Sequence, residues 1–163
     1  MRAIDMYVRP KRNPCIPEYL SKLTGIDDEI LAEKGMGFPE AYDRFKEFAG
    51  GMECYANWFN EHDDPIADGN VMRLTLSLYR DLPDPDEPKY RNIGAWLYSE
   101  FARRGLATEG KETTGLLKSG ELASYFGAEE ELASLGVGKH NALYDVHSIL
   151  VALRKLGFRQ AAR

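Results

Sequence analysis

Cysteine is scarce in this 163-residue chain: there are two, Cys15 and Cys54, with no C-x-x-C pair and no Cys/His ligand spacing. That argues against a disulfide scaffold and predicts reduced thiols, as in a cytoplasmic protein. Long apolar runs are missing too. None approaches the ~20 residues that cross a bilayer, so no membrane-spanning helix is expected. The opening Met1-Arg2-Ala3-Ile4-Asp5 puts a carboxylate where a signal peptide would be apolar. Positive charge is short, with 21 Lys and Arg against 26 Asp and Glu, a formal net charge of −5. A tight, unspecific polyanion binder is normally basic, so that class is disfavoured. An enzyme acting on nucleic acid is not, because a site of clustered carboxylates is itself acidic until cations bind.

What is present reads as a globular chain of ordinary domain size, 44% hydrophobic and 29% charged. We expect one domain over residues 1–163. Ala3 to Val8 has the look of a short strand. Pro10, Asn13, Pro14 and Pro17 then force an extended, turn-rich segment. Short helices are expected over Glu18 to Leu23 and from Asp27, as cap, to Lys34. Pro39 starts a third, with Ala41, Phe45 and Phe48 facing inward, and Gly50-Gly51 stops it. Met52 to Trp58 is a buried strand by pattern. Asp68 caps a helix from Gly69 to Arg80, and another spans Asn92 to Arg103. Basic groups at Arg9, Lys11, Arg12, Arg103, Arg104, Arg154, Lys155 and Arg159 read as solvated charges rather than phosphate contacts.

The most informative stretch is His140-Asn141-Ala142-Leu143-Tyr144-Asp145, an H-x-A-x-x-D pattern opening an amphipathic helix that Gly157 closes. Ala142, Val146, Ile149, Leu150 and Leu153 share one helical face, and Asp145 falls on it. A carboxylate in an apolar stripe is costly unless a cation or donor compensates. Asp145 is therefore expected to have a partner, and a metal ion is a good candidate. His140 precedes the helix, within reach of such an ion, where it could move protons. The competing reading is a plain helix cap beside an unremarkable histidine.

Three segments taken in order settle the balance: Val8-Arg9-Pro10 with Leu23-Thr24-Gly25-Ile26, the strand-loop-helix from Tyr55 to Leu74, and the terminal hexamer. Over nearly the whole chain they resemble the DEDDh 3′–5′ exonucleases, the superfamily of the polymerase III proofreading subunit and ribonuclease T. The resemblance implies an α/β fold of the ribonuclease H-like kind, a mixed sheet flanked by helices. It implies hydrolysis of phosphodiesters at the 3′ end of single-stranded DNA or RNA by two Mg²⁺ or Mn²⁺ ions held on carboxylates. On this chain it makes His140 the general base and Asp145 a metal ligand. The second motif maps to Asp68, with Asp63 and Asp64 as alternatives, because the loop after Asn57 is longer than in the family. Asn57, Trp58 and Phe59 are the expected nucleic-acid contacts, the aromatics by stacking a terminal base. Trp96 reads as core, beside Ile93 and Leu97. A homodimer or a larger assembly is compatible with the family.

One family element has no counterpart. An Asp-x-Glu on the first strand should stand well before the Val8-Arg9-Pro10 turn, yet seven residues precede Val8. Asp5-Met6-Tyr7 has the Asp without the Glu, and its place next to the Val8-Arg9-Pro10 turn makes it a later strand of the family sheet, so Asp5 receives no catalytic role. We expect a domain that is N-terminally incomplete, missing its first strands, since losing a central strand would leave backbone groups unpaired. Such a chain should bind metal weakly and cleave slowly or not at all. A non-catalytic exonuclease-like module, binding a protein partner or a nucleic acid end, is the alternative. A helical interaction domain of other ancestry is the third reading, and a parallel or mixed sheet would remove it.

Overall fold

The computed structural model describes residues 3–56, 68–79, 90–106 and 118–159, with backbone alone for residues 68–70. The chain forms two compact units, Met1–Ile93 and Gly94–Arg163.

In the first unit the expected strand over Ala3 to Val8 shrinks to a single parallel bridge, Val8 to Met36. Met36 N–H donates to Tyr7 O and Arg9 N–H to Met36 O, each at 2.9 Å. The ladder stops there because the partner segment turns into a helix directly after Gly37. Gly35 permits the approach. A Cβ there would collide with Leu31 O at the preceding helix end and lie 2.7 Å from Arg9 Cγ. The helices α1 (Glu18–Thr24), α2 (Asp28–Lys34) and α3 (Phe38–Ala49) follow the predicted order. Asp27 caps α2 as expected, accepting Ile30 N–H at 2.8 Å. The buried side chains of α3 are Phe38, Ala41, Tyr42 and Ala49. Phe45 and Phe48 are only half-buried, because the inward face is turned toward Phe38 and Tyr42. Phe38 stacks between Tyr42, at 5.6 Å, and Tyr79, at 5.3 Å.

Strand β1 (Cys54–Ala56) pairs in parallel with β2 (Tyr90–Asn92), Cys54 opposite Tyr90 and Ala56 opposite Asn92. Helix α4 (Asp68–Ser77) falls between them in the chain, the order a parallel crossover requires. Strand β2 was not foreseen: three residues are too few for a period-2 signal. The pairing described is parallel, and a mixed sheet is not seen among the described residues. The parallel pair removes the all-helical reading. Lys11 Nζ donates to Leu78 O at 2.7 Å and lies 4.2 Å from the centre of the Tyr79 ring. It is thus engaged within the unit, where the sequence suggested a simply solvated charge.

Helix α5 (Ile93–Arg103) leads into the second unit. A 3₁₀ turn (Ser119–Glu121) runs directly into α6 (Leu122–Tyr125). Then come α7 (Glu129–Leu132), a second 3₁₀ turn (Ala133–Leu135) and the terminal α8 (Ala142–Leu156). The core gathers Ala123, Ala128, Leu132, Tyr144 and Val151, with Phe126, Leu135 and Val137 against it. Trp96 is packed edge-on against Phe158 at 4.8 Å but is only half-buried, so the core expected of it is held by its neighbours Ile93 and Leu97. Arg104 donates to Leu156 O and closes the C-terminal end of α8. Arg103 and Arg104 bind Glu100, and Arg154 binds Glu131. Among the described residues no helix is long and apolar enough to cross a membrane.

Candidate active site

Helix α8 turns a different face inward from the one its strictest apolar repeat suggests. Tyr144, Ser148, Val151, Ala152 and Leu156 are buried. Ala142 is exposed and Val146 is 53% exposed, while Ile149, Leu150 and Leu153 are half-buried. The reason is that α8 is apolar around more than half its circumference, so pattern alone leaves its rotation open. Tyr144 brings the largest side chain and Ser148 a needed hydroxyl, and together they decide it. Asp145 still flanks the buried face, one turn before Ser148 and two before Ala152, and is half-buried.

Residues 138–141 build the turn into α8, with Asn141 N–H donating to Gly138 O at 3.2 Å. His140 sits in this turn at φ 70°, the one non-glycine residue with positive φ among the described residues. The left-handed region is uncommon for a side-chain-bearing residue, though histidine tolerates it better than most. Such outliers persist where surroundings hold them, and they gather at functional sites. Two contacts hold this one. Asn141 caps α8 by accepting Leu143 N–H at 3.0 Å. Asp145 Oδ1 accepts the backbone N–H of His140 at 3.3 Å. The histidine ring itself is exposed.

Burial pushes the Asp145 carboxyl above the usual carboxylate range, and the His140 N–H and the charge on its ring pull it part of the way back. So the partner expected for Asp145 is, in the first place, a backbone donor. Among the described residues no cationic side chain forms an ion pair with it. Its second oxygen is a hard acceptor suited to Mg²⁺ or Mn²⁺. A single carboxylate is not a metal site, however. No group of three or more His, Cys, Asp or Glu that could hold a metal ion occurs among the described residues.

Asp68 is the first residue of α4, close to its predicted place, but its side chain lies outside the described residues. Asn57, Trp58, Phe59, Asp63 and Asp64 lie outside them altogether. The described neighbourhood of Asp145 contains two groups that pattern reading passed over. Gly120, buried in the first 3₁₀ turn, stands against the carboxylate, and Lys139 lays its aliphatic stem beside it. Ser148, fully buried, accepts Ala123 N–H at 2.8 Å and ties α6 to α8. A glycine just inside a helical pattern and a serine in an apolar face were the only available signals.

The described part of the site is thus a half-buried carboxylate bonded to the backbone of a histidine in a left-handed turn. The exonuclease family that includes ribonuclease T matches this chain over residues 2–153. The chain therefore belongs to the exonuclease family, a nuclease family that generally uses divalent metals. Neither a curated protein nor a solved structure is significantly similar to it.

Proposed function

We propose that this chain is a 3′–5′ exonuclease domain of the DEDDh type, acting on the 3′ end of single-stranded DNA or RNA. The observation that carries the proposal is the Asp145–His140 pair: a partly desolvated carboxylate, with no cationic side-chain partner among the described residues, one hydrogen bond from a histidine held in a left-handed turn. Family membership supports the reaction class. Asp145 is the ligand we assign to a divalent cation, with Asp68 as the second. Bound there, the cation would supply charge neutralisation at the scissile phosphate.

The chain's own residues would do the rest. His140, exposed and on the solvent side of the turn, takes the proton from the attacking water at a ring nitrogen. The water oxygen bonds to phosphorus as the bond to the 3′ oxygen breaks, freeing a mononucleotide. Asp145 fixes the base through the backbone of His140, so one residue would serve both as ligand and as support. Asn57, Trp58 and Phe59 are proposed to receive the terminal nucleotide. Two carboxylates are a small ligand set for two cations, so binding is weak and turnover slow.

The test is digestion of a 3′-labelled single strand with Mn²⁺. The proposal expects slow release of labelled mononucleotide, lost on Asp145→Asn and lowered about 100-fold or more by His140→Ala. Release that both variants leave intact contradicts it. A second reading, a non-catalytic module that binds a nucleic acid end or a protein, is supported by the acidic balance of the chain, a formal net charge of −5. Tight binding of the labelled strand with no release would select it.

A further inference from the structure

Gly120 is buried, and its φ is not positive, so no left-handed backbone demands a glycine there. Space does. A Cβ added to Gly120 would sit 2.5 Å from Asp145 Oδ1 and 3.4 Å from Lys139 Cβ and Cγ. The first distance is below any real contact of a Cβ with an oxygen. Oδ1 is also the atom that accepts His140 N–H. It is therefore wedged between the backbone of the 3₁₀ turn and the backbone of the histidine turn.

The closeness is imposed from one turn further along. Ser148 follows Asp145 by three residues on α8, and Ala123 follows Gly120 by three on the facing segment. The bond from Ala123 N–H to the buried Ser148 Oγ, 2.8 Å, fixes the spacing between the two backbones. With that spacing fixed, the position opposite Asp145 has room for a carboxylate oxygen or for a side chain at 120, not both.

We infer that Gly120 is a positioning residue: its missing side chain sets the rotamer of the Asp145 carboxylate, and through that carboxylate the turn that carries His140. Its value to catalysis rests on the exonuclease reading above, but the geometric inference does not. Rigid support of this kind governs how well a ligand is aimed, and losing it typically costs metal affinity.

A double-mutant cycle in metal-free buffer tests it. Gly120→Ala should lower the melting temperature by roughly 3 °C or more in the parent chain. In an Asp145→Ala background the clash is gone, and the same substitution should be neutral or slightly stabilising, because alanine limits the unfolded chain. That background also keeps the test open if the single variant fails to fold. The backbone amide of His140 supplies a readout that loose packing elsewhere would not move. In Gly120→Ala its NMR position and exchange protection should shift toward those of Asp145→Ala, with the α8 amides after Ser148 unchanged. An equal loss of stability in both backgrounds, or an unmoved His140 amide, overturns the inference. Mn²⁺ titration by calorimetry then reports on function separately, with binding about 10-fold weaker in Gly120→Ala expected. If Asp145→Ala binds Mn²⁺ as well as the parent, the metal reading fails, and the stability cycle still decides the role of Gly120.

Discussion

At the residue scale, Asp145 costs the fold something. Burial raises its carboxyl above the usual range, so the native state holds this proton more tightly than the unfolded chain. The sign follows from linkage. Between the unfolded and the raised native value, the native state binds more protons, so stability falls as pH rises through that window. Above that window the penalty is fully expressed. Asp145→Asn keeps an oxygen able to accept His140 N–H and removes the charge. It should stabilise the metal-free chain at pH 7 by no more than about 1 kcal/mol, since half the group is screened by water. The gain should fade as pH falls into the carboxylate range, which urea unfolding at several pH values would measure. A stabilised but inactive variant is what a functional carboxylate predicts. The need for a partner at Asp145 was legible in the hexamer. The identity of the first partner was not, because a backbone N–H in a left-handed turn leaves no mark on side-chain pattern.

At the element scale, what was legible were the elements with chemical punctuation. Asp27 before α2 and Gly157 after α8 mark their helix ends by cap chemistry, and the helices start and stop there, whereas the Asn141 cap of α8 was not read. Strands carried less. Ala3 to Val8 became one bridge because its partner segment enters α3 directly after Gly37, and Tyr90–Asn92 was too short to read. The rotation of α8 depended on a contact distant in sequence, from Ser148 to Ala123 N–H, 25 residues apart. That bond satisfies a donor at the start of α6 that has no intrahelical partner. Ser148→Ala should leave it buried and unpaired, costing about 1–3 kcal/mol in chemical denaturation. Unchanged stability would mean that water replaces the hydroxyl and that the spacing of α6 and α8 is set by apolar packing alone.

At the scale of the whole molecule, three short motifs, each weak by itself, pointed to the exonuclease family through their order. Val8-Arg9-Pro10 and Leu23 to Ile26 lie in the first unit, and His140 to Asp145 in the second. The family match over residues 2–153 runs through both. The site itself was legible in part. The hexamer named His140 and Asp145, which the structure joins through the His140 backbone N–H and not its ring, whereas Gly120 and Ser148 emerged only from packing. The account turns on Asp145 being a ligand as well as a support for the histidine turn. The most direct measurement is calorimetric titration of Mn²⁺ into the parent chain and into Asp145→Asn. The account predicts weak binding by the parent and none by the variant. Equal binding by the two would contradict it.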